Sequence, residues 1–170
     1  MYLNNLNLGV GEANLLRNFV ASSTNIKNLY LSRNSLGVEG ARILGEGLAQ
    51  NLSLEVLDLD HNRIRNKGAL AIASSLFEEG RPSKIRVLSL KNNFISEKSF
   101  KELVRLLMGK CGPFSDISQF HLRALLIAGN VISLFELKHL YKIVLDRKVP
   151  LFVDGFERIK HNEDSCLFLS

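Results

Sequence analysis

The sequence predicts an α/β fold, a right-handed solenoid of five to six βα units with a parallel inner sheet and outer helices. Three observations predict it. A nine-residue phrase, L-x-x-L-x-L-x-x-N, begins at Ile26, Leu54, Ile85 and Leu122 and closes on Asn34, Asn62, Asn93 and Asn130. Inside each phrase apolar and polar residues alternate, which is the period of a strand. After each phrase the apolar spacing lengthens to the helical i, i+3, i+7 pattern. A unit of this kind buries its apolar face only against its neighbours, so the copies must stack, strands along the inside of a horseshoe.

Taken in order, the first copy is MYLNNL (1–6), degenerate, with Leu6 where the Asn should be. The helical set Ala13, Leu16 and Val20 follows it. NLYLSRN (28–34) leads to Ala41, Leu44 and Leu48; VLDLDHN (56–62) leads to Ala69, Ile72 and Leu76. VLSLKNN (87–93) leads to Phe100, Leu103 and Leu107. LLIAGN (125–130) leads to Leu137, Leu140 and Val144, and LFVDGF (151–156) is a degenerate sixth copy with Phe156 at the Asn position. Aligning the inward residues Leu3, Leu31, Leu59, Leu90, Ile127 and Val153 gives spacings of 28, 28, 31, 37 and 26.

Local signals agree. Gly40 and Gly68 sit at matched positions where a side chain would crowd the turn into the helix. Ser133 and Glu136 spell a capping box, and the helix they start should end near Arg147 and Lys148, before Pro150. The stretch 108–121, rich in Gly109, Gly112 and Pro113, exceeds what a 28-residue unit needs and reads as an inserted loop. The solenoid should therefore span 1–156, and the tail 157–170 should fold back through Cys166–Leu169 to cap the last unit.

The four aligned Asn residues should form a structural ladder. An amide both donates and accepts, so stacked Asn side chains satisfy backbone groups freed by the turn. The run from residue 26 to 41, and again from 54 to 69, resembles the ribonuclease-inhibitor class of leucine-rich repeats. That class includes ribonuclease inhibitor, the GTPase-activating protein of Ran and the sensor halves of NOD-like receptors. The resemblance implies a binding scaffold, and it carries no catalytic residue onto this chain because the match lies in scaffold positions.

Composition narrows the setting. At 170 residues the chain is one domain, with 46% hydrophobic and 23% charged residues, ordinary for a globular protein. No apolar run reaches the roughly 18 residues that span a bilayer, and MYLNNLNLG is no signal peptide. Cys111 and Cys166 fit no metal or disulfide spacing and read as reduced thiols of a cytoplasmic protein. On that reading the sequon at Asn51 goes unused.

Chemistry is sparse. There is no G-x-S-x-G, H-E-x-x-H, C-x-x-C or P-loop, and no cofactor is expected. Asp58, Asp60 and His61 invite a metal reading, but the neighbouring strands offer Ser32, Ser89, Lys91 and Asn92, a poor set for a cation. A polar patch facing solvent or a partner is the better reading, with no metal.

The open face of the sheet follows from register. One row is Tyr2, Tyr30, Asp58, Ser89, Leu126 and Phe152; the next is Asn4, Ser32, Asp60, Lys91, Ala128 and Asp154. The third is Asn5, Arg33, His61, Asn92, Gly129 and Gly155. Tyr2, Tyr30, Arg33, Asp58, Asp60, His61, Lys91, Asn92, Leu126 and Phe152 are the candidate partner-binding set, since Tyr and Arg are common binding hot spots. A second candidate is a basic rim ahead of the last strands, formed by Arg81, Lys84, Arg86, His121, Arg123, Arg147 and Lys148. With a net charge of +5 it would suit RNA or an acidic partner, although Glu78, Glu79, Asp116 and Asp146 lie near in sequence.

The expectation is a non-enzymatic protein-interaction module gripping a protein partner by its concave face, within a larger assembly and away from membranes. A regulator of a small GTPase is the second expectation, and nucleic-acid binding by the rim the third. The N-terminal edge, lined by Leu3, Leu6 and Leu8, should be covered by a partner or by further repeats.

Overall fold

The computed structural model describes residues 1–77, 83–109, 121–146, 148 and 150–154. Helices and strands alternate along it: α1 (Val10–Ser22), β1 (Asn28–Tyr30), α2 (Gly37–Leu48), β2 (Val56–Asp58) and α3 (Arg65–Phe77). Then follow β3 (Val87–Ser89), α4 (Glu97–Gly109), β4 (Ala124–Leu126), α5 (Leu134–Asp146) and β5 (Phe152–Val153). The strands form one parallel sheet in chain order, β1-β2-β3-β4-β5. Each helix packs on the next in sequence, α1 on α2 through to α4 on α5.

The alternation does what it implies. Leu29, Leu57, Leu88, Leu125 and Val153, the inward strand residues, are each fully buried. Leu31, Leu59, Leu90 and Ile127, two positions on, are buried too. The helical sets meet them: Ala13, Leu16 and Val20; Ala41, Leu44 and Leu48; Ala69, Ile72 and Leu76; Phe100 and Leu103; Leu137, Leu140 and Val144. Burying each such Leu or Ile stabilises by about 1.5–3 kcal/mol. A Cβ added at Gly68 would lie 3.0 Å from the Cβ atoms of both Ala41 and Ile64, so a side chain there would crowd the packing.

The last strand departs from the expected alignment. Val153 pairs with Leu125 and Phe152 with Ala124, not with Ile127 and Leu126. A slip of two residues keeps every side chain on its face, so alternation alone could not exclude it. The observed register separates Leu125 and Val153 by 28 positions and so restores the period of the first repeats. Phe152 therefore leaves the Tyr30 row, and Asp154 moves one row back.

Boundaries shift slightly. Met108 and Gly109 belong to α4, and α5 ends at Asp146. The rest of the expected insertion, apart from His121, lies outside the described residues, as do the tail 157–170, both cysteines, Gly155, Phe156, Arg81 and Arg147. Only half the capping box forms. Ser133 Oγ accepts from the Glu136 amide at 3.3 Å, while the buried Glu136 carboxylate turns to Lys101 of α4 at 3.0 Å.

The aligned Asn side chains bond the turns of successive units. Asn34 Oδ1 accepts from the amides of Leu6 and Leu8, both at 3.0 Å, and its Nδ2 donates to the carbonyls of Leu3 and Leu31, both at 2.8 Å. Asn93 accepts from the amides of Asn62 and Ile64, and Asn130 from those of Asn93 and Ile95. Each amide thus bonds across to the turn of the preceding unit. Asn62 is the exception: its Oδ1 is buried with no hydrogen-bond partner among the described residues.

A second clip went unread in the sequence. Asn51 is buried, donates to the carbonyls of Val20 (2.7 Å) and Ser23 (2.9 Å), and accepts from the amides of Ser53 (2.9 Å) and Leu54 (2.7 Å). It joins the helix-to-strand turns of two units. Such an amide cannot accept a glycan without unfolding its surroundings.

Candidate functional site

The open side of the sheet carries the first two expected rows. Tyr2 bridges Tyr30, and Tyr30, Asp58, Ser89 and Leu126 stand in register across β1 to β4. The Tyr2 and Tyr30 rings stack 4.6 Å apart and 4° from parallel, with Tyr2 76% exposed. Asp58 and Leu126 are half-buried, and Ser89 is buried.

The second row is less open than expected. Asp60 Oδ1 accepts from the Lys91 amide at 2.8 Å and from the Ser89 hydroxyl. The Lys91 ammonium lies 3.6 Å from Asp154 Oδ2, and Asp154 in turn accepts from the amides of Ile127 (2.8 Å) and Ala128 (3.1 Å). Asp60 and Lys91, expected to face a partner, are thus committed to their own sheet. The cause is spacing: a carboxylate on one strand reaches the backbone of the next, about 4.8 Å away.

Burial raises the Asp60 pKa above its ordinary value, helped by the nearby Asp58 carboxylate and opposed by the bonds from Ser89 and Lys91. The unfolded chain therefore ionises first as pH rises, and the folded state is penalised once pH passes the ordinary carboxylate value. Asp60→Asn keeps an acceptor without the charge. It should melt higher than wild type at neutral pH, with the difference vanishing as pH falls below the ordinary carboxylate range. Thermal melts across that range check this; a constant difference would assign the effect to packing.

The metal reading finds no support in the geometry. Asp58 Oδ1 accepts from the Asp60 amide at 2.9 Å, and His61 turns to Asn92, Nε2 to Nδ2 at 3.2 Å. No group of three or more His, Cys, Asp or Glu suited to a metal occurs among the described residues.

The third row is not strand at all. Arg33, His61 and Asn92 have φ of 57°, 55° and 53°, and Gly129 has φ of 73°. These residues turn the chain out of each strand through the left-handed region. They sit on the rim at the strands' C-terminal ends. Here His61, Arg63, Asn92, Phe94 and Gly129 line a cleft of about 350 Å³. A Cβ at Gly129 would collide with the Asn92 amide, so glycine keeps this corner open.

The expected basic rim, at the opposite ends of the strands, is partly neutralised. Glu55 lies between Arg86 (3.6 Å) and Lys27 (3.3 Å). Lys84, His121, Arg123 and Lys148 are exposed, and Arg123 donates to the Leu122 carbonyl at 3.2 Å. A second group of cations lies on the other rim. Arg33, Arg63, Arg65, Lys67 and Lys98 form no ion pair among the described residues. The run H-N-R-I-R-N-K (61–67) announces this cluster in the sequence, and only the turn geometry shows that it gathers on one edge.

A family model described as Leucine Rich repeat matches residues 50–73, which hold β2 and most of α3. A search of curated proteins finds no match. The match and the alternating parallel fold support a leucine-rich repeat protein, a type that generally serves in protein–protein interaction and is generally non-enzymatic. No described helix is long and apolar enough to cross a membrane.

Proposed function

We propose that this chain is an interaction module of the ribonuclease-inhibitor-like class, a cytoplasmic solenoid that holds a folded protein partner on its concave sheet face within a larger assembly. The observation that carries the reading is the Tyr2–Tyr30 stack, which leaves a large aromatic surface on an otherwise self-satisfied sheet. Aromatic anchors on a rigid face bind with little loss of side-chain freedom. Leu15 and Phe19 support the assembly part. They stand one turn apart on α1, 71% and 39% exposed, at the end of the stack where a further surface can dock.

The test is capture of native partners by the full chain and by a Tyr2→Ser/Tyr30→Ser variant, identified by mass spectrometry. Tyr2 is exposed and Tyr30 half-buried, and the variant loses their stack, so stability should fall by about 1–2 kcal/mol, with a melting curve confirming that the variant is folded. Partners retained by wild type and lost by a folded variant support the sheet face. Equal capture would move the site away from it.

A further inference from the structure

We infer that the rim at the C-terminal ends of the strands, and not the sheet face alone, is a docking groove for an acidic, extended segment of a partner protein with an apolar side chain seated beside Phe94. The inference rests on the interaction-module reading and adds a second contact of defined chemistry.

Charge is the first ground. Arg63, Arg65 and Lys67 lie within five consecutive residues, and none forms an ion pair among the described residues. Lys98 follows Lys67 by 31 positions, the same offset that pairs β2 with β3, so the strip continues into the next unit. The acid at the matching position one unit earlier, Glu39, is already bound to Arg42 at 2.7 Å. Glu97, beside Lys98, lies 3.9 Å from Lys101, so neither acid is paired with a cation of the strip.

The strip also runs against local stability. The first turn of α3 has no acidic residue, whereas α1, α2, α4 and α5 carry Glu12, Glu39, Glu97 and Glu136 there. Cations at a helix N-terminus oppose the helix dipole. Residues that weaken the fold where their neighbours support it are expected where binding sets the choice.

Shape is the second ground. The cleft between the third and fourth units has Arg63 on one side and Phe94, 63% exposed, on the other. Its volume of about 350 Å³ is at the small end of the range for ligand pockets and suits one side chain of a peptide. Beyond it the rim turns apolar at Val131 and Phe135, 70% and 75% exposed. Carboxylates over the arginines and apolar side chains over the cleft match that order. A nucleic acid would need phosphate contacts along the whole track, and the apolar half offers none.

The test is selection from a random peptide display library on the full folded chain, followed by fluorescence anisotropy of the enriched peptides. Enrichment of sequences combining Asp or Glu with Leu or Phe is expected. Arg63→Asn/Arg65→Asn should weaken them by about tenfold or more while tolerating the left-handed backbone. Lys67→Glu is the discriminating variant. It supplies an acid to the first turn of α3, so the melting temperature should hold or rise while peptide affinity falls.

Enriched peptides that are neutral or basic, or that bind both rim variants as tightly as wild type, would overturn the groove. If the peptides depend on Tyr30 instead, the groove falls and the module reading stands. Absence of any enrichment also rejects the groove, leaving native-partner capture to decide the module reading separately. Salt-sensitive binding of labelled oligouridylate lost in Lys67→Glu, with no acidic peptide selected, would give the rim to RNA.

Discussion

Asn93→Ala should destabilise the protein on the order of 3 kcal/mol or more, since each buried group left unpaired costs about 1–3 kcal/mol. Asn93 is fully buried. Its Oδ1 takes the amides of Asn62 (3.0 Å) and Ile64 (3.3 Å), and its Nδ2 serves the carbonyls of Leu59 (2.8 Å) and Lys91 (3.1 Å). Removing it leaves two N–H groups in the core with no acceptor at that position. Asn62→Ala, one rung earlier, should cost less. Two of the three carbonyls it serves, Leu31 and Leu59, also accept from Asn34 and Asn93, and its own Oδ1 is already unpaired. Denaturant unfolding of the two variants checks the order. Equal losses would mean that the ladder is not read correctly at Asn62, and no loss at Asn93 would remove its structural role.

The ladder was legible because its chemistry is periodic. Four identical residues at one register say both where the chain turns and what closes the turn. The strand and helix faces were legible for the same reason, through Leu29, Leu57, Leu88 and Leu125 and the helical sets behind them. Register at the last unit was not, because Phe152 and Val153 keep their faces under a two-residue slip. On the polar face, the bonds that tie Asp60 and Lys91 to their own sheet were not legible. Periodicity assigns a side chain to a side of the sheet; it does not tell whether that side chain reaches the next strand's backbone. Arg63 and Arg65, which join His61 at the turn, were missed on similar grounds. Left-handed backbone at non-glycine residues has no dependable signature in sequence, and it is this backbone that turns the chain at His61, Arg63 and Arg65.

Helix-to-helix approach was invisible as well, and it carries the second large effect. Gly47 lies near the end of α2, and a Cβ there would stand 2.5 Å from the Arg17 carbonyl oxygen and 3.0 Å from the Arg17 Cα of α1. Those atoms are backbone, so the helices must separate to admit it. Gly11 in α1 is the matched control, with nothing within 4 Å of an added Cβ. In a helix interior, Gly→Ala alone gains about 0.5–1 kcal/mol. Gly11→Ala should therefore raise stability by roughly that amount. Gly47→Ala should lose it and more, since overpacking costs about 1–3 kcal/mol, and Gly47→Val should lose more again. The same chemical change then gives opposite signs at two sites 36 positions apart. Unfolding midpoints give the sign, and hydrogen exchange in α1 gives the place. If Gly47→Ala is as stable as Gly11→Ala and α1 stays equally protected, the close approach of α1 and α2 at Arg17 is wrong.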